Sequence, residues 1–199
     1  MAKIKLTKNE HKKQKDALKM YTRYLPTLIL KKQQLQMEIR KVEIRGEEVR
    51  QKQEELRNDM NRWVAVFGEK EGLDSTLVRL KEVLTGSGNI AGVEIPLFKG
   101  AEFYPVTYDL FVKPLWVDRG VKAMQEIILL DLEYMILQEQ IKQLAKELRT
   151  TTQRVNLFEK VMIPETESNI KKIDVYLGDQ QTASVVRGKM AKKKLEKVS

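Results

Sequence analysis

From Leu18 to Phe67, alternating steps of three and four residues land on Leu18, Tyr21, Leu25, Leu28, Lys32, Leu35, Ile39, Val42, Gly46, Val49, Gln53, Leu56, Met60, Trp63 and Phe67. All but Lys32, Gly46 and Gln53 are apolar. A 3-4 alternation held for seven heptads is the seam of a coiled coil rather than the face of an ordinary globular helix. The residues between are mostly Lys, Arg, Glu and Gln, as a solvated helix surface requires. Such a seam is unstable alone in water, so the chain must supply or find a partner helix.

A second seam of similar length begins after Val117. It visits Gly120, Ala123, Ile127, Leu130, Tyr134, Leu137, Ile141, Leu144, Leu148, Thr151, Val155, Phe158 and Met162. Pro26 and Pro164 fall inside the two patterns. Each removes a backbone donor and crowds a carbonyl one turn earlier, so a kink with helix on both sides is expected. After Pro164, Ile170, Ile173 and Leu177 resume the pattern in shifted phase. Thr7 with Glu10 has the spacing of a capping box.

Residues 85–116 have another texture, with Gly86, Gly88, Gly92, Pro96, Gly100, Pro105 and Pro114 close together. Ile90–Pro96 and Phe103–Phe111 read as short strands, with a turn near Lys99-Gly100. The expectation is therefore an all-α chain. Residues 1–84 form one helix, 85–116 a small β-hairpin cap, and 117–199 a helix returning antiparallel to the first as one structural unit. At 1.5 Å per residue, seventy-five residues of helix would span roughly 110 Å. Lys32, Gly46 and Gln53 would then be the seam's weak points.

Charge separates along the chain. The net charge is +9. Residues 1–19 carry a net of +5, residues 187–199 another +5, and everything between sums to about −1. Antiparallel pairing would bring both basic segments to one tip, and charge concentrated this way points to an interaction site. Lys12, Lys13, Arg187, Lys189, Lys192, Lys193 and Lys194 are the candidate contacts. A broadened apolar face at Ile128, Leu132 and Met135 is the second candidate surface.

Several chemistries find no support. With no cysteine, disulfides and thiolate metal sites are excluded. No apolar run is long enough to span a bilayer, and the first residues lack the core of a signal peptide. His11, the sole histidine, reads as a surface residue on a polar helical turn. Gly86-Ser-Gly-Asn-Ile-Ala-Gly lacks the Gly-Lys-Ser/Thr ending of a phosphate loop. No catalytic residue, metal ligand or cofactor site is expected. No aromatic residue interleaves the terminal lysines, so nucleic acid is not an expected partner.

Particular segments carry a family resemblance. They are Lys5-Leu-Thr-Lys-Asn-Glu, Lys13-Gln-Lys-Asp-Ala-Leu, Leu25-Pro-Thr-Leu and Leu30-Lys-Lys-Gln-Gln-Leu toward the start. Toward the end they are Arg154-Val-Asn-Leu-Phe-Glu-Lys-Val-Met-Ile-Pro, Ile170-Lys-Lys-Ile, Leu177-Gly-Asp-Gln-Gln-Thr-Ala and Lys189-Met-Ala-Lys-Lys-Lys. In this order and spacing the chain resembles the D subunits of the V-type and A-type rotary ATPases and ATP synthases. The resemblance implies a non-catalytic central rotor shaft without cofactor, coupling ATP hydrolysis or synthesis in the catalytic hexamer to rotation and proton or sodium transport in the membrane ring. It implies that the termini insert among the catalytic A and B subunits, and that the opposite end meets the F and socket subunits. The location implied is peripheral, on the cytoplasmic side of the membrane. Two alternatives are a prefoldin-like coiled-coil chaperone, which the lysine-rich tips disfavour, and a basic-tipped tether, whose binding would fall steeply with salt.

Overall fold

The computed structural model describes residues 4–62, 77–105 and 116–198. The elements are α1 (Lys8–Asn61), β1 (Leu80–Ile90), β2 (Val93–Phe103), α2 (Val117–Leu157), a π-helical turn (Phe158–Met162) and α3 (Ile163–Val198). The chain is thus long helices with one small two-stranded antiparallel sheet. Among the described residues, no helix is long and apolar enough to cross a membrane. Two compact units can be distinguished, one of residues 33–149 and one of residues 1–32 with 150–199.

α1 opens as its sequence demands. The Glu10 amide donates to the Thr7 hydroxyl at 3.3 Å, so Thr7 is the N-cap. The helix runs unbroken through Pro26. Around it the Thr22 hydroxyl donates to the Leu18 carbonyl and the Thr27 hydroxyl to the Tyr24 carbonyl, at 2.9 and 2.7 Å. Every described seam position of α1 and α2 is buried or half-buried. Trp63 and Phe67 lie outside the described residues.

In the unit of residues 33–149, α1 contributes Leu35, Val42 and Val49 to the core, α2 contributes Leu137 and Leu144, and β2 contributes Ile95. Contacts between the helices run in opposite chain directions. Arg45 pairs with Glu133 and, further along α1, Gln53 meets Asp131. Leu77, Val117 and Val121 form a smaller cluster.

The hairpin corrects two expectations. Leu80–Leu84 are strand, not the end of the first helix. β-Branched and glycine-spaced residues then carry the ladder to Ile90, where no helical face needs burial. The turn is Ala91-Gly92, not Lys99-Gly100: Ile90 faces Val93, and φ is +52° at Ala91 and +80° at Gly92. Two successive positive φ values make the two-residue turn whose twist matches paired strands. The Gly92 amide donates to Asn89 Oδ1 at 3.0 Å. Gly100 instead serves a bulge: Leu84 faces Gly100 while Thr85 faces Phe98, which leaves Lys99 over. The φ of +140° at Gly100 explains the residue there. Of the strand expected at Phe103–Phe111, only Phe103 is in β2, and residues 106–111 lie outside those described. The Pro96 carbonyl accepts from Gln140 Nε2, so its backbone faces α2 and its missing N–H costs the ladder nothing.

In the other unit, Val155, Thr166 and Ile173 are buried, and the Tyr21 and Phe158 rings meet at 5.2 Å. Pro164 is accommodated by the π turn, in which the Ile163 amide bonds the Phe158 carbonyl. That wider turn inserts one residue and rotates the apolar face, which is why the pattern resumes out of phase.

Candidate functional site

The basic segments belong to the unit of residues 1–32 and 150–199. Lys12 and Lys13 project from the first turns of α1, and Arg187, Lys189, Lys192, Lys193 and Lys194 lie in the last turns of α3; all are exposed. They do not meet at one level. His11 Nε2 lies 2.8 Å from Asp174 Oδ1, which places the start of α1 beside the first third of α3. Just ahead of the N-cap, Leu6 borders an open apolar hollow with Ser168, Lys171, Lys172 and Val175. Arg187 is thirteen residues beyond Asp174, about 20 Å further along α3 at 1.5 Å per residue. The last turns of α3 therefore overhang the start of α1.

Two features of this end escaped the sequence reading. Lys171 and Lys172 lie beside Leu6 at the start of the chain, which only the pairing of α1 with α3 brings about. The overhang also presents Val186 and Met190, both about half exposed or more, among its cations. Their spacing of four residues was visible, but a solvated basic helix gave no reason to single it out.

The second candidate surface lies in the unit of residues 33–149. Ile128, Leu132 and Met135 follow one another at steps of four and three on α2, hence on one face. Ile128 and Leu132 are half-buried, while Met135 is 66% exposed. Met135 borders a shallow hollow with Tyr134, Gln138, Glu139 and Lys142. Another hollow is bordered by α1, α2 and the hairpin, through Lys41, Arg45, Leu97, Phe98, Glu133 and Gln140. Across it Arg45 donates to Glu133 Oε1 from both Nε and Nη2, at 3.3 and 3.0 Å, and also pairs with Glu48. The hydrogen bond and charge of Glu133, aided by Glu48, hold the Arg45 guanidinium above its ordinary value. Met37 and Ile44, one heptad apart on α1, are exposed as well. A secondary line of apolar residues seven apart was the signal for them in the sequence.

Among the described residues, no group of three or more His, Cys, Asp or Glu side chains is placed to hold a metal ion. The site's chemistry is that of surfaces: flexible cationic side chains, isolated apolar side chains and ion pairs, suited to protein partners.

Comparison with known proteins agrees with this description. A family profile described as the ATP synthase D subunit matches residues 10–193. The V-type ATP synthase D subunit of Borreliella burgdorferi is 53% identical over 197 residues, covering 99% of this chain and 97% of the relative. That of Chlamydia muridarum is 37% identical over 199 residues, covering 97% and 96%. That of Chlamydia pneumoniae is 34% identical over 195 residues, covering 97% and 93%. With a profile spanning most of its length and relatives matched end to end, this chain belongs to the family of ATP synthase D subunits.

Proposed function

We propose that this chain is the central rotor shaft of a V/A-type ATPase or ATP synthase. It makes no bond in the reaction. It couples ATP hydrolysis or synthesis in a hexamer of catalytic A and B subunits to rotation, and so to proton or sodium translocation in a membrane ring. The observation that most supports this is the overhanging end of α3, a single helix rich in cations and exposed on all sides, together with the membership of the family.

The roles follow from physics. Lys12, Lys13, Arg187, Lys189, Lys192, Lys193 and Lys194 face the catalytic hexamer. Long flexible ammonium side chains attract polar or acidic walls over several ångströms without demanding one orientation, which suits a surface that turns against its socket. A single chain has no threefold symmetry, so three catalytic interfaces around it meet different faces. Each contact that favours an open or a closed interface shifts that interface by its differential energy alone. Ile128, Leu132 and Met135, with the hairpin, face the F subunit, and that end reaches the socket subunit on the ring. The complex holds the chain peripherally, on the cytoplasmic side of the membrane.

Reconstitution tests this reading. The chain and purified A, B and F subunits are mixed, and complex formation and ATP turnover are measured. Stable incorporation with changed turnover is expected. An A–B hexamer that neither binds the chain nor changes its rate overturns the proposal.

A further inference from the structure

In the unit of residues 33–149, two seam residues that look like defects have specific partners. Gly46 is buried in mid-helix, where glycine costs about 1 kcal/mol relative to alanine. Opposite it stands Tyr134, an aromatic seam residue of α2; a Cβ on Gly46 would lie 3.9 Å from Tyr134 Cε2. One heptad on, Gln53 is 8% exposed and donates from Nε2 to Asp131 Oδ1 at 2.7 Å. Arg57 Nη2 lies 3.6 Å from the same carboxylate oxygen.

We propose that Gly46–Tyr134 and Gln53–Asp131 form a register lock that sets α1 against α2 in a single alignment. The rest of the seam discriminates little, because Leu35, Ile39, Val42, Val49 and Leu56 are apolar residues of similar size. A slip of one heptad keeps apolar facing apolar along that seam and leaves few penalties. The two matched pairs remove this degeneracy. After a slip, Tyr134 faces Ile39 or Gln53 in place of glycine. Its ring then overlaps a side chain in a packed interface. Asp131 faces Gly46 or Met60 and loses the Gln53 amide that donates to it. One pair acts by shape and the other by hydrogen bonding, and both fail together. A polar residue at a seam position is a recognised way to specify alignment at some cost in stability. In a helix pair loaded in torsion, such a lock opposes sliding.

Cross-linking reads the alignment directly, since the chain has no cysteine of its own. Three double variants of the full chain are treated with a short bismaleimide: Arg45→Cys with Glu133→Cys, Glu38→Cys with Glu133→Cys, and Lys52→Cys with Glu133→Cys. The first reports the observed alignment and the others report one-heptad slips. The first is expected to exceed the others at least about tenfold. Adding Gly46→Leu and Gln53→Leu should cut that advantage below about threefold while circular dichroism shows the helices retained. An advantage that is absent at the outset, or undiminished in this background, overturns the proposal. If that background loses its helices, Gly46→Ala with Gln53→Leu takes its place, since it leaves the helix intact and deletes only the polar pair. A reduced advantage supports the lock and an unchanged one overturns it. Gly46→Leu combined with Tyr134→Ala exchanges large for small across the interface. It should restore the observed alignment relative to Gly46→Leu alone, and failure to do so refutes matching by shape.

Discussion

Gly46 shows how little room separates a cost from a specification. A methyl group there meets the Tyr134 ring at 3.9 Å, an ordinary contact, and alanine is the better helix former. Gly46→Ala is expected to stabilise the chain by about 1 kcal/mol in chemical denaturation. Destabilisation would mean that the ring comes closer than this geometry shows. Leu144 is wholly buried, and Leu144→Ala should cost about 2–5 kcal/mol by the same measurement. On the hairpin, Lys81 Nζ donates to Glu102 Oε2 at 2.8 Å. The hydrogen bond and charge of Lys81 hold the Glu102 carboxyl below its ordinary value. A lowered folded-state value gives a contribution present above the unfolded value and lost as pH falls through the folded one. Both side chains are solvent-exposed by about half, so the readout is NMR titration. Glu102 should titrate at lower pH in the parent than in Lys81→Met, and identical midpoints would refute the pairing.

At the scale of elements, the hairpin carries a residue its turn does not favour. Ala91 holds φ of +52°, a conformation that asparagine and glycine adopt at less cost. Ala91→Asn should raise the hairpin's thermal stability, read as slower amide exchange at Ile90 and Val93. Faster exchange would argue against the two-residue turn. The π turn shows the opposite relation between residue and element. Pro164 was legible as an interruption and the phase shift after it was legible too. The means of joining them, one wider turn closed from Ile163 to Phe158, was not, because periodicity records a change of phase without saying how the backbone absorbs it. The hairpin turn was misplaced for a related reason. Ala91-Gly92 and Lys99-Gly100 both offer a glycine of positive φ, and strand pairing decides which becomes a turn and which a bulge.

At the scale of the molecule, the proposed function rests on surfaces that partners would cover. Deleting residues 187–199 is expected to weaken ATPase coupling in the reconstituted complex, most at low salt and less as salt rises and screens the same charges in the parent. The helical pair should survive, because the described core residues lie outside the deletion. A general collapse of helicity would contradict that, and unchanged coupling would remove the lysines from the hexamer's face.

The buried seams of α1 and α2 were determined by the sequence alone. Burial along a helix follows its 3.6-residue period, a local property, and every described seam position obeys it. The resemblance to the family was equally legible, because it lies in the order and spacing of segments. The tertiary structure decided which residues face one another: Gly46 and Tyr134, Gln53 and Asp131, Arg45 and Glu133. It also decided that Leu6 lies beside Lys171 and Lys172 and that His11 meets Asp174, which leaves the end of α3 overhanging. These are relations between residues far apart in the chain, settled by shape and hydrogen-bond complementarity that no single helix carries. That is why Gly46 and Gln53, read as weak points in one strand of sequence, became matched partners once the second helix was in place.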